Sequence, residues 1–267
     1  MDGIRRESET ILIYASELQG EKRLVETSDG SSTLYSEGFG EAYHSPKDGA
    51  LHETLEKHVE SALRFVGERE TLTILDICFG LGYNTLATLY SIQKSRLSTK
   101  IHIVAPELDR ALVQSLAHFD YPPEFAVLEP VVEALSRDFY YEDDQFRIEI
   151  PIGDAREILP RLQEKFDIVY QDAFSPKHNP LLWTREYFAQ IRALMYDDGI
   201  LTTYSVAAAV RMGLYENGFH LYRLSGDRLR DWMVASPSLL QGMEPIDMIL
   251  KQQRNPDAKS LRDASFV

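Results

Sequence analysis

Carboxylates recur where short apolar runs end. Asp76 lies near the end of LTILDI, Glu107 closes KIHIVAPE, Asp154 follows FRIEIPIG and Asp172 follows KFDIVYQ. A carboxylate accepts hydrogen bonds from hydroxyl, amino and ammonium groups, so this row suits a ligand rich in such donors. After Asp76 the chain reads Phe79-Gly80-Leu81-Gly82-Tyr83-Asn84, and glycines in such a turn let backbone amides approach a ligand closely. After Asp172 it reads AFSPKHNPLLW, an aromatic segment stiffened by Pro176 and Pro180.

In open α/β sheets ligands bind outside the carboxyl ends of the strands. On that geometry Glu107 suits two ribose hydroxyls, Gly153-Asp154 an adenine amino group, and Asp76 an ammonium, directly or through a water. A dinucleotide would bring its pyrophosphate to the N-terminus of the first helix. The acidic rim instead favours S-adenosylmethionine, which has no phosphate and carries a sulfonium and an ammonium. Asp172 then stands beside the position expected for the sulfonium methyl. Amine methylation needs a neutral nitrogen with its lone pair in line with that methyl. An alkylamine resembles lysine, with a reference pKa of about 10.4, and arrives mostly protonated. Asp172 can accept an amine N–H and orient the lone pair. Phe174 and Trp183, with Asn179 in the same loop, form the expected substrate pocket, where the rings stack on a flat base. The alternative for Trp183 is a place in the core, and for Asp172 a turn cap.

The elements that must position these groups follow from hydrophobic patterning. LTILDI, KIHIVAPE, FRIEIPI, KFDIVYQ, GILTTYS, GFHLYRL and DWMVAS read as strands. Amphipathic segments separate the first five. TLATLYSIQKS is one, a second starts near a Thr184 N-cap, and a third stops at Asn217-Gly218. Alternation of this kind makes βαβ units and a parallel sheet covered on both faces. The last two strands are joined only by Ser225-Gly226-Asp227-Arg228, too short for a parallel crossover, so they form a hairpin. This is the pattern of the class I methyltransferase, Rossmann-like α/β fold: a mostly parallel seven-stranded sheet with an antiparallel hairpin strand near the C-terminus. The expected organisation is a β-rich N-terminal extension over 1–48, the methyltransferase domain over 49–250 and a polar tail over 251–267, docked or disordered. The extension contains the apolar run Ile11–Tyr14 and a hairpin signal at Asp29-Gly30. A helix over 49–66 follows, with Leu51, Leu55, Val59, Leu63 and Val66 on one face.

Bulk properties bound the function. The single cysteine among 267 residues rules out an internal disulfide and fits a reducing cytoplasm. Neither a secretory signal nor an 18-residue apolar run is visible, so no membrane partner is expected. A net charge of −14 argues against loose, nonspecific nucleic-acid binding, though not against a local basic patch. His52 and His58 are six apart, about 120° off a shared helix face, so no metal site is expected there. Cys78 has no basic neighbour in sequence and is not proposed as a nucleophile. EDDQFRIE reads as a solvated loop entering a strand.

The motif D-A-F-S-P-x-x-N-P-x-x-W-T, preceded by F-G-x-G-x-N, resembles the methyltransferase domain of the bacterial MnmC enzymes. The resemblance begins near Val25, runs through Tyr43-His44-Ser45 and Gly49–Thr54, and reaches the final hairpin. It implies methylation of the amine of 5-aminomethyluridine at the tRNA wobble position, often on 2-thiouridine, with S-adenosylmethionine as donor. It also implies cofactor binding by Asp76, Gly80, Gly82, Asn84, Glu107, Gly153 and Asp154, and catalysis by Asp172. Cys78 departs from the family, whose turns carry a further glycine there. The bifunctional relatives add an FAD-dependent oxidase. This sequence ends at Val267 without a second G-x-G-x-x-G unit, so the resemblance is to the stand-alone form, with no FAD and no oxidase activity expected. Candidate tRNA phosphate contacts are Lys177, His178, Arg211, Arg223, Arg228 and Arg230, each also readable as an ordinary surface charge. Two alternatives remain at this level: a polyamine aminopropyltransferase and a methyltransferase-like binding protein without turnover.

Overall fold

A computed structural model describes residues 20–266. The run Ile11–Tyr14 lies outside the described residues. β1 (Lys22–Glu26) and β2 (Ser32–Ser36) pair antiparallel around Asp29-Gly30, where Gly30 takes a φ of 82° that a side chain would resist. β3 (Glu41–Ala42) completes a three-stranded sheet. A continuous helical segment follows: α1 (Ala50–Glu53), a π-helical stretch over Thr54–Glu60, and α2 (Ser61–Val66).

The central sheet contains β4 (Thr71–Ile77), β5 (Lys100–Val104), β6 (Tyr140–Glu142), β7 (Phe146–Glu149), β8 (Phe166–Gln171), β9 (Met195–Thr203), β10 (His220–Leu224) and β11 (Trp232–Ser236). Their order is β10-β11-β9-β8-β4-β5-β7-β6. Strands β9, β8, β4, β5 and β7 pair in parallel, and β11 inserts antiparallel between β9 and β10. The fold class is the expected one, but among the described residues the sheet has eight strands. The addition is β6, antiparallel to β7 at the edge. It is three residues long and largely solvent-facing, too short to show periodicity in the sequence. The EDDQ segment is the turn between these strands, with the Asp143 carboxylate accepting from the Gln145 and Phe146 amides.

Helices cover both faces, including α3 (Tyr83–Lys94), α4 (Arg110–Ser115), α5 (Glu129–Asp138), α6 (Ala155–Ile158), α7 (Arg185–Leu194) and α8 (Ala208–Glu216). Successive strand residues point to opposite faces. Ile74, Ile103 and Ile168 therefore enter one buried cluster, while Leu75, Val104 and Val169 enter the other. Burial on both faces is why these strands read as unbroken apolar runs. Leu34 of β2 joins the first cluster, so the N-terminal sheet shares the core rather than standing apart. The Thr184 hydroxyl accepts from the Tyr187 amide, capping α7. Beyond α9 (Met248–Arg254) the tail is docked: Leu261 bridges Thr184, Arg262 pairs with Glu186, and Asp263 pairs with Arg156. Among the described residues no helix is long and apolar enough to cross a membrane.

The chain runs from β4 outward to β5 and β7, then returns to β8 on the other side of β4. The switch point therefore lies between the carboxyl ends of β4 and β8, where an open sheet leaves a crevice.

Candidate active site

A cavity of about 720 Å³ opens at that switch point, within the roughly 300–1,000 Å³ typical of ligand sites. Its floor begins with the turn after β4. Gly82 has a φ of 72°, and a Cβ there would come within 2.7 Å of the Phe79 ring, so only glycine fits. Gly80 lines the cavity at a φ of 54°, and its N–H donates to Glu107 Oε2 at 2.8 Å. Cys78 also lines the cavity, with a φ of 65°. That left-handed conformation favours glycine, so Cys78 holds it at a steric cost. Burial, and then the surrounding carboxylates, push its thiol well up, so it is no thiolate nucleophile.

Glu107 is mostly buried, and its Oε1 accepts from the Asp109 amide at 2.8 Å. Burial raises its carboxyl above the usual range against the opposing pull of these backbone donors. Each oxygen retains a lone pair, which is what a vicinal diol requires. Behind it, the fully buried Lys22 ammonium lies 2.7 Å from Asp109 and ties β1 to this end of the site. Gly153 and Asp154 line the same end, and Asp154 caps α6 by accepting from the Arg156 amide at 2.8 Å.

Three expected contacts lie deeper. Asp76 is fully buried, does not line the cavity, and accepts from Thr85 Oγ1 at 2.8 Å and Asn84 Nδ2 at 3.3 Å. Burial pushes its carboxyl up to about 7. The direct contact expected between Asp76 and a ligand ammonium is thus corrected, because its oxygens serve the hydroxyl and amide of α3, which leaves the contact through a water. Gly82 and Asn84 are also absent from the wall. Asn84 spans two carboxylates, its Nδ2 also donating to Asp172 Oδ2 at 2.9 Å.

Asp172 reaches the cavity at the end of β8, its side chain 14% exposed. Oδ1 lies 3.4 Å from His58 Nε2. Burial pushes the carboxyl up, but His58, His44 and the Asn84 amide outweigh it and hold the group below its ordinary value. Phe174 and Asn179 line the cavity. The Phe174 ring centroid lies 4.2 Å from Phe39 and 4.8 Å from Tyr43. Trp183 is a second correction. It is fully buried, with edge contacts to Phe188 and Tyr204, so it offers no stacking face. Its indole N–H donates to the Phe174 carbonyl at 2.7 Å and holds the loop from behind.

Of the candidate phosphate contacts, Arg230 lines the cavity mouth, with its guanidinium 3.3 Å from Asp48. Lys177 is exposed, and His178 packs beside Gly40. Arg228 is exposed in the hairpin turn, Arg211 lies beside Arg223, and Arg223 pairs with Asp231. Sequence reasoning missed the wall from the N-terminal sheet and its helix: Phe39, Tyr43, His44, Lys47 and Glu53. Residues 39–47 show no periodicity, and only the resemblance touched Tyr43-His44, while Glu53 lay in the expected helix over 49–66 with no site role assigned. It also missed His58, a neighbour of Asp172, whereas His52 pairs with Glu56 at 2.9 Å.

The donor set fits S-adenosylmethionine at one end: a two-oxygen acceptor in Glu107, a carboxylate in Asp154 and close backbone at Gly80. Comparison with known proteins bears on the same point. A family model described as S-adenosyl-L-methionine-dependent methyltransferase matches residues 126–236. The crystal structure of MNMC2 from Aquifex aeolicus superposes with a TM-score of 0.81 at 30% identity, covering 94% of this chain and 82% of that one. The chain belongs to the MnmC methyltransferase family. The bifunctional MnmC protein of Azoarcus sp. strain BH72, named for tRNA 5-methylaminomethyl-2-thiouridine biosynthesis, is 33% identical over 80% of this chain. Uncharacterized protein MJ0670 of Methanocaldococcus jannaschii is 30% identical over 76% of it. The matched region spans 35% of the first relative and 56% of the second. Within the matched methyltransferase family model lie Asp154, Asp172, the Phe174 loop and β11.

Proposed function

We propose that this chain methylates the primary amine of 5-aminomethyl-(2-thio)uridine at the wobble position of tRNA, giving the 5-methylaminomethyl base. The observation that carries this is Asp172: a carboxylate held ionised at the cavity floor, gripped by Asn84 and beside an aromatic wall. S-adenosylmethionine, when bound, supplies an electrophilic methyl. The residues of the chain do the rest. Glu107 and Asp154 hold the nucleoside end, and Gly80 lets the backbone approach. Asp172 accepts an N–H of the acceptor amine and turns the lone pair toward the donor. Phe174, Phe39 and Tyr43 enclose the flat base and exclude water. Arg230 and Lys47 at the mouth suit phosphate in an otherwise acidic chain.

An aminopropyltransferase reading would need free carboxylates along the acceptor wall. Those present are engaged: Glu53 and Asp48 by the Lys57 ammonium, and Glu41 by the Ser175 amide at 2.9 Å. Against a binder without turnover, Asp172 and Asn84 keep a catalytic-type hydrogen-bonded arrangement. The test is transfer of labelled methyl from S-adenosylmethionine to tRNA carrying 5-aminomethyluridine, followed by digestion to nucleosides. A 5-methylaminomethyl product supports the reading. Cofactor binding without transfer to this acceptor refutes it.

A further inference from the structure

His58 sits in the π-helical stretch over Thr54–Glu60 and is 1% exposed. Its Nδ1 lies 2.9 Å from Thr202 Oγ1 on β9. Its Nε2 is buried without a hydrogen-bond partner, yet points at Asp172 Oδ1 across 3.4 Å. A buried polar atom left unpaired costs stability, and π turns recur at functional positions in helices. The Thr202 hydroxyl can accept from Nδ1–H or donate to Nδ1; in the first tautomer Nε2 carries only a lone pair and faces a carboxylate oxygen, which is also an acceptor. One proton between them would satisfy both. Thr202, His58 and Asp172 thus form a chain in which each group orients the next.

We propose that His58 is a positioning residue that receives, through Asp172, the proton the acceptor amine must lose before methyl transfer. This rests on the function proposed above. In the first step an N–H bond of the acceptor ammonium breaks and its electron pair stays on nitrogen. The proton passes to the Asp172 carboxylate and from Oδ1 to His58 Nε2, leaving an imidazolium that donates from both nitrogens. In the second, the N–C bond forms as the S–C bond breaks, with its pair going to sulfur. The product leaves as a secondary ammonium, and His58 returns its proton to solvent by way of Asp172, which lines the cavity.

The groups around His58 are consistent with this. The Asp172 and Asp76 carboxylates are its anionic neighbours. His44 is the neighbouring imidazole, and burial lowers its pKa. The Tyr170 ring centroid lies 5.9 Å away; burial lifts its phenol and that of Tyr204 to keep both uncharged.

The test compares the wild-type protein with His58→Gln, which keeps an amide near Nε2 but cannot take a proton. At pH 7 kcat on tRNA carrying 5-aminomethyluridine should fall about 100-fold, with S-adenosylmethionine affinity unchanged. The deficit should shrink roughly tenfold per pH unit as the amine becomes neutral by itself. A deficit independent of pH, or an equal loss of cofactor affinity, overturns the proposal. A wild type inactive on this tRNA refutes the function instead. The pairing is then decided separately by nitrogen NMR of histidine-labelled protein. Asp172→Asn should move the His58 Nε2 resonance, which faces that carboxylate, while the Nδ1 resonance beside Thr202 changes far less. An unchanged Nε2 resonance overturns the proposal whatever the acceptor.

Discussion

Replacing Lys57 by Met tests how the cavity wall is held. The Lys57 side chain is 1% exposed, and its ammonium donates to Asp48 Oδ2 at 2.9 Å and Glu53 Oε1 at 2.8 Å. Both carboxylates line the cavity, and Glu53 Oε2 also accepts from the Ser45 amide at 2.8 Å. Methionine fills most of the same volume but leaves two buried carboxylates without their cation. Breaking a buried ion pair from one side costs about 3–5 kcal/mol. Arg230 remains 3.3 Å from Asp48, but its side chain is 73% exposed and it offsets only about 0.5 kcal/mol. The net expectation is a loss of about 2.5–4.5 kcal/mol at pH 7, a large share of the roughly 5–15 kcal/mol that holds a domain folded. Urea unfolding measures it. The sign of the pH dependence is a second check. In the wild type, burial pushes Asp48 up, but Lys57 and Arg230 outweigh it and hold the group below its ordinary value. Its contribution is complete above the unfolded pKa, near 3.9, and is lost only as pH falls through the lower folded value. Without Lys57, burial dominates at Asp48 and its carboxyl rises, so the folded variant takes up a proton before its unfolded chain does. The stability gap should therefore narrow between pH 7 and about pH 5. A gap below about 1 kcal/mol, or one that stays constant over that range, would refute the argument.

Asp172→Asn should leave S-adenosylmethionine affinity within about threefold while lowering kcat by about 100-fold or more; titration calorimetry and initial rates separate the two, and equal losses would remove Asp172 from its assigned place. Trp183→Phe deletes the N–H that holds the Phe174 carbonyl, so stability should drop by about 1–3 kcal/mol in chemical denaturation and the acceptor KM should rise more than the donor KM. A rise in the donor KM alone would contradict the loop's assignment to the acceptor. Cys78→Gly removes a left-handed cost of about 1–2 kcal/mol and adds unfolded-chain entropy of about 0.5–1 kcal/mol. Stability within about 1 kcal/mol of wild type and near-normal cofactor affinity are expected, and a loss beyond about 2 kcal/mol would show that the thiol, not the backbone, matters.

Sequence alone determined the sheet and the strand-end carboxylates. Runs such as LTILDI and KFDIVYQ are apolar throughout because both faces of their strands are buried, and that pattern depends on nothing distant. It also placed Glu107, Asp154 and Asp172 at strand ends, since the chain order of βαβ units puts those ends on one rim. The depth of each group behind that rim depended on the tertiary structure. Asp76 and Asp172 are both strand-end aspartates, yet one is sealed beneath Asn84 and Thr85 and the other faces the cavity. Trp183 and Phe174 are both loop aromatics, yet one packs inward and the other outward. Burial at that scale is set by neighbours far away in sequence. So is the approach of His58 to Asp172, which takes a π-helical stretch, a hydroxyl on β9 and a carboxylate after β8 meeting in one place. Local periodicity encodes the direction a side chain takes from its own element, whereas its contacts depend on how the elements pack.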